Sequence, residues 1–159
     1  MTPPNSETSP NSGRYRHTQT GPWHFIVFSI GVLQAYLSVA LRNEAPLNLI
    51  FGVCAAFMLV LGFSIRSLTI EDVGDGLLVR FGPLPLFKKK ILFSDIVSAK
   101  VSHTTLLDGF GIHYSLRGGW VWNIWGYPCV HLQLKKGQIW LGSNEPDKLL
   151  STIHSNGVQ

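Results

Sequence analysis

The densest group of charged side chains in the chain is the run Lys88-Lys89-Lys90, and a second basic pair, Lys135-Lys136, lies in a predicted turn. Clustered lysines bind anionic lipid headgroups within about one Debye length of a membrane surface, where each adds on the order of 1 kcal/mol. The same lysines also suit the exposed edge of a β-sheet, where positive charge prevents pairing with other sheets. Both interpretations fit the sequence.

Three tryptophans, Trp120, Trp122 and Trp125, form the densest aromatic group together with Tyr127. In a strand, Trp120 and Trp122 share one face and Trp125 takes the other, so at least one side of the group is expected in a hydrophobic core. A tryptophan also suits a membrane headgroup region or the groove of a partner, because its ring is apolar and its N–H is polar. Core packing is favoured, with membrane or partner contact as the alternative.

Residue types that support catalysis or metal binding are present, but they form no known motif. The sequence has no nucleophile elbow, phosphate-binding loop, dinucleotide fingerprint or zinc-protease motif, so we predict neither an enzyme nor a cofactor. Four histidines fall on separate predicted elements rather than at the short spacings of a zinc site, so no metal is predicted. These histidines are His103, His113, His131 and His154.

Two apolar runs near the N-terminus determine where the rest of the chain lies. Residues 23–41 and 47–65 contain no Lys, Arg, Asp or Glu, and a connection of five residues, 42–46, separates them. Each run is close to the ~20 residues with which an α-helix crosses a hydrocarbon core, so the pair predicts a transmembrane hairpin. Lys and Arg lie mainly before the first run and after the second, which predicts a multi-pass protein of the cell (inner) membrane with both termini cytoplasmic.

Small residues indicate how the two predicted helices contact each other. Gly31 and Ala35 are four apart in the first run, and Gly52 and Ala56 are four apart in the second. Small side chains let helix backbones approach closely in a bilayer. Gln34 lies in the same stretch and is expected to face the second helix or another subunit, because an amide that faces lipid is costly.

The composition agrees with a membrane protein. Only 14% of the 159 residues are charged, whereas about 25% is usual in soluble domains. The formal net charge is +4. In a membrane-anchored chain, topology and anionic lipid explain such a charge, so nucleic acid is not expected as a partner.

After residue 66 the apolar period changes from helical to two. Leu68 and Ile70 alternate with polar residues, and Asp75-Gly76 predicts a hairpin turn. Further alternations and turns predict about seven short strands in a bent antiparallel sheet or open barrel. An amphipathic helix that begins near Pro146 is expected to cover one face or end of this sheet.

A pattern of glycines, aromatics and strand spacing over residues 67–153 resembles a known family. The pattern includes Phe81-Gly82-Pro83, Ser94-Asp95-Ile96, Gly118-Gly119-Trp120 and residues 142–150. It is similar to the bacterial pleckstrin-homology-like (PH-like) domains attached to one or two membrane helices. The resemblance implies a strongly bent sheet capped by a C-terminal helix, and eukaryotic relatives of this family often bind phosphoinositides or protein partners. This chain lacks the Lys-x-Lys/Arg-x-Arg cluster of phosphoinositide binders.

These patterns predict a membrane-anchored α+β protein in four parts: a disordered tail (1–22), the hairpin (23–66), a PH-like β domain (67–154) and a short tail (155–159). The N-terminal tail is rich in Pro, Ser, Thr and Asn and has too little apolar surface to order it. The favoured hypothesis is an interaction module that holds a protein-binding β domain at the cytoplasmic membrane face, with another membrane protein as its partner. The alternatives are an anionic lipid-headgroup domain and an accessory subunit of a membrane complex.

Overall fold

The computed structural model describes residues 14–84, 86–105, 111–116 and 118–158. Within these residues the chain is an α+β protein with two long apolar helices, two sheets and a C-terminal helix. The helices are α1 (Trp23–Ala40), α2 (Leu47–Ser64) and α3 (Pro146–Ser155). The strands are β1 (Arg16–Thr20), β2 (Ser67–Asp72), β3 (Gly76–Phe81), β4 (Lys88–Leu92), β5 (Ile96–His103), β6 (Gly111–Tyr114), β7 (Trp120–Asn123), β8 (Pro128–Leu134) and β9 (Gln138–Gly142).

The two predicted apolar helices are confirmed. α1 and α2 each have 18 residues, and neither contains a proline that would interrupt its hydrogen-bond ladder. The connection between them is a tight turn in which the Glu44 N–H donates to Leu41 O at 2.8 Å. This turn reverses the chain, so that α2 packs along α1.

The prediction of a disordered tail over residues 1–22 is wrong for Arg16–Thr20, which form β1. This strand runs antiparallel to β2, with His17 opposite Ile70 and Thr20 opposite Ser67. An edge strand needs little apolar sequence because backbone groups make its pairing. Tyr15 packs into the hydrophobic core just before the strand begins. Residues 1–13 lie outside the described residues.

The helical hairpin is therefore inserted into the β domain. β1 and β2 are neighbours in one sheet, and the chain between them forms α1 and α2. The predicted division into a hairpin at 23–66 and a β domain that starts at 67 follows the order of the chain but leaves out the first strand of the sheet. The sequence hides this strand because its partner lies beyond both helices.

The first sheet is antiparallel, in the order β1-β2-β3-β4. Its β2–β3 turn differs from the predicted Asp75-Gly76 hairpin, because Gly76 already belongs to β3 and the positive φ of +97° falls on Gly74. The Asp72 carboxylate accepts a hydrogen bond from the Gly74 N–H at 2.7 Å and stabilises the turn. β4 forms one edge of this sheet.

The second sheet has the order β5-β8-β9-β7-β6, and the prediction of a wholly antiparallel sheet is wrong here. β7 and β9 are parallel, with Trp120 opposite Ile139 and Trp122 opposite Leu141. The cause is that β8 pairs with β5, so that β9 returns between β8 and β7. In the described part of the chain eight strands follow residue 66, where about seven were predicted.

The main hydrophobic core of the described residues lies between the two sheets and α3. It combines Leu77 of β3, Leu132 of β8 and Ile153 of α3, each with 0% exposure. The predicted amphipathic helix is confirmed, and it begins at Pro146, a residue favoured in the first helical turn. The predicted tail from residue 155 is partly wrong, because Val158 packs into the same core.

Candidate functional site

Close approaches at glycines bring α1 and α2 together. A Cβ built on Gly31 would lie 3.3 Å from side-chain atoms of Leu59, and one built on Gly62 would lie 3.0 Å from the ring of Phe28. Larger side chains at these positions would push the helices apart. Gly31 therefore lies where the sequence predicted it, in the contact between the helices.

The small-residue face of α2 includes Gly52 but not Ala56. A Cβ built on Gly52 would lie 3.1 Å from Ser38 Oγ of α1, and that hydroxyl donates a hydrogen bond to Asn48 O at 2.7 Å. Ala55 is buried, whereas Ala56 is exposed. The prediction for Ala56 is wrong because a helix has 3.6 residues per turn, so a face that runs from Gly52 to residue 62 passes through residue 55.

Gln34 and Ala35 are both partly buried on α1. Gln34 Oε1 is buried and has no hydrogen-bond partner among the described residues. An amide oxygen left without a donor costs about 1–3 kcal/mol when it is buried. Among the described residues, the hairpin therefore supplies no hydrogen-bond donor for the amide oxygen of Gln34, one of the predicted contact residues.

The helices join the sheets through very short connections. Thr20 and Ser67 pair across β1 and β2, and only residues 21–22 and 65–66 separate them from α1 and α2. A Cβ on Gly21 would lie 2.8 Å from Ile124 O, and one on Gly82 would lie 2.6 Å from Phe63 O. The β7–β8 turn therefore lies against the connection that leads into α1, and the β3–β4 connection lies against the end of α2.

A groove lies beside β4 and β6, which are edge strands of the two sheets. It is an open groove with two sections of about 440 Å³ and about 400 Å³, and Lys89 and Trp120 line both. The first section is mainly apolar, and its other lining residues are Leu86, Phe87, Lys88, Ile112 and Trp122. The second is more polar and includes Tyr114, Gly118, Gln133, Lys136 and Gln138.

The structure separates the predicted lysines into different environments. Lys90 Nζ donates to Asp75 Oδ2 at 2.7 Å, and this contact holds the pKa of the Asp75 carboxyl below its usual value. Lys88 lies in the apolar section of the groove. Lys135 and Lys136 are both exposed, but only Lys136 lines the polar section, and the backbone N–H of Lys135 donates to Asp95 O at 2.9 Å. Lys88, Lys89 and Lys136 are thus the predicted lysines that share the groove.

The structure also places the three tryptophans in different environments. Trp122 is 7% exposed and packs against Phe81 with ring centroids 5.9 Å apart, in the core. Trp120 shares its strand face but is 45% exposed at the start of β7, where it meets Tyr114 edge-on at 5.9 Å. Trp125 follows the strand, is 48% exposed and contacts Trp23 of α1 at 6.4 Å.

Sequence reasoning gave no structural role to Asn123, a buried polar residue at the end of β7. Its Nδ2 donates to Gly126 O at 2.7 Å, and its Oδ1 accepts from the Trp125 N–H at 3.2 Å. These bonds shape the turn that presents Trp125 to α1. The available signal was the Asn-x-x-Gly spacing directly after a strand, which is typical of side-chain-stabilised turns.

Gln138 is a second missed residue, and it supports the wall of the groove. Its Oε1 lies 2.8 Å from His131 Nε2, and its Nε2 donates to Gly118 O. This arrangement makes His131 the donor to Gln138 and ties β9 to the loop that precedes Trp120. Within residues 14–84, 86–105, 111–116 and 118–158, no three His, Cys, Asp or Glu side chains are grouped as metal ligands.

No protein-family model matches the chain, and no curated protein is similar to it in sequence. The resemblance to PH-like domains stays a prediction. The function must therefore be inferred from the geometry of the helices and the groove.

Proposed function

We propose that the chain is a membrane-anchored interaction module. In this proposal α1 and α2 span a bilayer and hold a PH-like β domain at its cytoplasmic face. The groove beside β4 and β6 then binds an extended segment of a neighbouring membrane protein. The cytoplasmic placement rests on Arg16 and Arg66 at the joints and on the lysines of β4, against Arg42 alone in the hairpin turn.

The exposure of α1 and α2 supports the spanning role. Their mean hydropathies are 1.5 and 2.2, yet only 11% and 17% of their residues are buried inside the molecule. A core helix of a soluble protein would be mostly buried. Each helix has 18 residues, which gives a length of about 27 Å, close to the thickness of a hydrocarbon core.

The pairing of Thr20 with Ser67 is the observation that carries the proposal. It fixes the two chain segments that enter and leave the hairpin as neighbouring strands of one sheet. A domain held in this way has little freedom to leave the membrane surface. Its effective concentration toward other proteins of the same membrane is then high, so a modest interface suffices for binding.

The groove offers two features that suit an extended protein segment. β4 and β6 are edge strands, and such edges bind partner strands through backbone hydrogen bonds. Lys89 and Lys136 favour acidic side chains, and Trp120 with Tyr114 favours apolar or aromatic ones. The fitting partner is therefore an extended segment with acidic and apolar residues.

Photocrosslinking in native membranes tests this proposal. A photoreactive residue replaces Tyr114 in the groove, and a control replaces Val97, an exposed residue on the opposite edge of the second sheet. We expect a crosslink to a membrane protein from position 114 and none from position 97. Equal crosslinking from both positions, or from neither, would contradict the proposal.

A second candidate function is binding of an anionic lipid headgroup in the same groove. The observation in its favour is that Lys88 and Lys89 lie beside Leu86 and Phe87, a basic group next to an apolar wall. Replacement of Lys88 and Lys89 by Gln would then reduce retention of anionic lipid by the purified chain, while Lys100→Gln, an exposed change on β5, would not. Equal lipid retention by all three proteins would exclude this candidate.

A further inference from the structure

Six large exposed side chains lie in chain segments near the start of α1 and the end of α2. Their exposure sets them apart from the core residues of the two sheets. They come from the start of α1, from the connection between β3 and β4, and from the turn between β7 and β8. The six residues are Trp23, Leu84, Leu86, Phe87, Trp125 and Tyr127.

The β3–β4 connection starts at the end of α2. Gly82 has a φ of +58°, and a Cβ there would lie 2.6 Å from Phe63 O and closer still to Ser64 O. Leu84 and Leu86 follow within four residues and are 43% and 60% exposed. They therefore lie close to the end of α2, where the chain enters β2.

The β7–β8 turn lies at the start of α1. A Cβ on Gly21 would lie 2.8 Å from Ile124 O, and Trp23, the first residue of α1, meets the ring of Trp125. The two helix ends are themselves adjacent, since Phe28 and Phe63 pack edge to face at 5.1 Å. The two groups of exposed side chains thus lie near the same end of the hairpin.

We propose that these six residues form an interfacial rim that inserts into the headgroup region of the bilayer spanned by α1 and α2. Trp and Tyr favour this region because one side of the ring is apolar and the other polar. None of the six carries a charge. Lys88 follows Phe87 directly and Arg66 lies two residues after the end of α2, where both suit lipid phosphates. The rim rests on the proposed function, because it requires that the helices span.

The rim has a consequence for the groove. Leu86 and Phe87 belong both to the rim and to the apolar section of the groove. The groove therefore opens at the membrane surface, and a partner segment enters it directly from the bilayer boundary. This favours the juxtamembrane segment of another membrane protein over a soluble partner.

Electron paramagnetic resonance on nitroxide-labelled full-length protein tests the rim. Cys54 and Cys129 are replaced by Ala, and single cysteines are placed at Leu86, Leu116 and Val32. Each protein is reconstituted into vesicles of phosphatidylcholine and phosphatidylglycerol, and melting curves verify its fold. Collisions of each label with oxygen, which concentrates in lipid, are compared with collisions with a water-soluble nickel complex.

We expect the label at position 86 to favour oxygen, and the label at position 116, where Leu116 is 96% exposed, to favour nickel. Position 32 on the outer face of α1 should favour oxygen strongly. Nickel preference at position 86 with oxygen preference at position 32 would overturn the rim alone. Nickel preference at position 32 would overturn the spanning helices and the rim together.

Discussion

Thr20 and Ser67 pair across β1 and β2 although two helices of 18 residues separate them in sequence. The pairing makes the hairpin an insertion into a sheet. It also makes β1, at the N-terminal side of the helices, a structural part of the β domain.

Proline substitutions in β1 test whether this strand stabilises the domain. The Asp72 N–H donates to Tyr15 O at 2.7 Å, and antiparallel ladders alternate, so the Gln19 N–H points to β2 and the Thr18 N–H points away. Gln19→Pro should lower the free energy of unfolding by about 1–3 kcal/mol through the lost hydrogen bond. Chemical denaturation in detergent, followed by tryptophan fluorescence, measures it.

Thr18→Pro is the control, because it introduces the same ring without removing a ladder hydrogen bond and loses only the contact of the Thr18 hydroxyl with the Thr69 hydroxyl at 2.9 Å. Its effect should be clearly smaller than that of Gln19→Pro. Equal effects would mean that β1 is not paired with β2 as described.

Gly82→Ala tests the contact between the β3–β4 connection and the end of α2. The added methyl group would meet the carbonyl oxygens of Phe63 and Ser64 at a positive φ. Gly137→Ala, at a φ of +86° with open space around it, measures the cost of a positive φ alone, about 1–2 kcal/mol. We expect Gly82→Ala to cost about 1–3 kcal/mol more than Gly137→Ala in thermal unfolding. Equal costs would show that the connection does not touch α2.

Gly31→Leu tests the packing of the two helices. A leucine there would overlap Met58 and Leu59, and overpacking of this kind costs about 1–3 kcal/mol. Ala56→Leu adds similar bulk on an exposed face of α2 and should change stability by no more than about 0.5 kcal/mol. Denaturation of both variants in detergent micelles measures the two losses of stability. A larger loss for Ala56→Leu would show that the helices contact each other through a different face from the one described.

The burial of Tyr15 predicts that the protein loses stability at alkaline pH. Burial raises the pKa of its hydroxyl above the value of 10.0 expected for an exposed tyrosine. In the unfolded chain the hydroxyl ionises near that value while the folded chain still holds its proton, so stability falls as the pH rises above 10. Tyr15→Phe should flatten this fall in urea titrations at successive pH values. An unchanged slope would indicate that Tyr15 is not buried.

Local patterns in the sequence predicted much of this fold. The two apolar runs, the alternation around Leu68 and Ile70 and the stripe of α3 each involve neighbours in sequence, so their periodicity reveals them. β1 was missed because Arg16–Thr20 has no apolar alternation and its partner lies beyond the hairpin. The parallel pairing of β7 with β9 was missed because it depends on where β8 goes.

Local sequence patterns could not predict the groove, for the same reason. Lys89, Tyr114 and Lys136 come from a strand of the first sheet, a strand of the second sheet and a turn. Only the packing of the sheets brings them together. Likewise, Trp120 and Trp122 share a strand face, yet Trp120 is the first residue of the strand and lies outside the core.

Cysteine accessibility tests the central claim, that the hairpin crosses a bilayer and the β domain lies on its cytoplasmic side. With Cys54 and Cys129 replaced by Ala, single cysteines are placed at Asn43 in the hairpin turn and at Ser98 on β5, both exposed. Intact cells are treated with a membrane-impermeant maleimide. The account predicts labelling at position 43 in intact cells and at position 98 only after permeabilisation. Labelling of both positions, or of position 98 alone, in intact cells would contradict it.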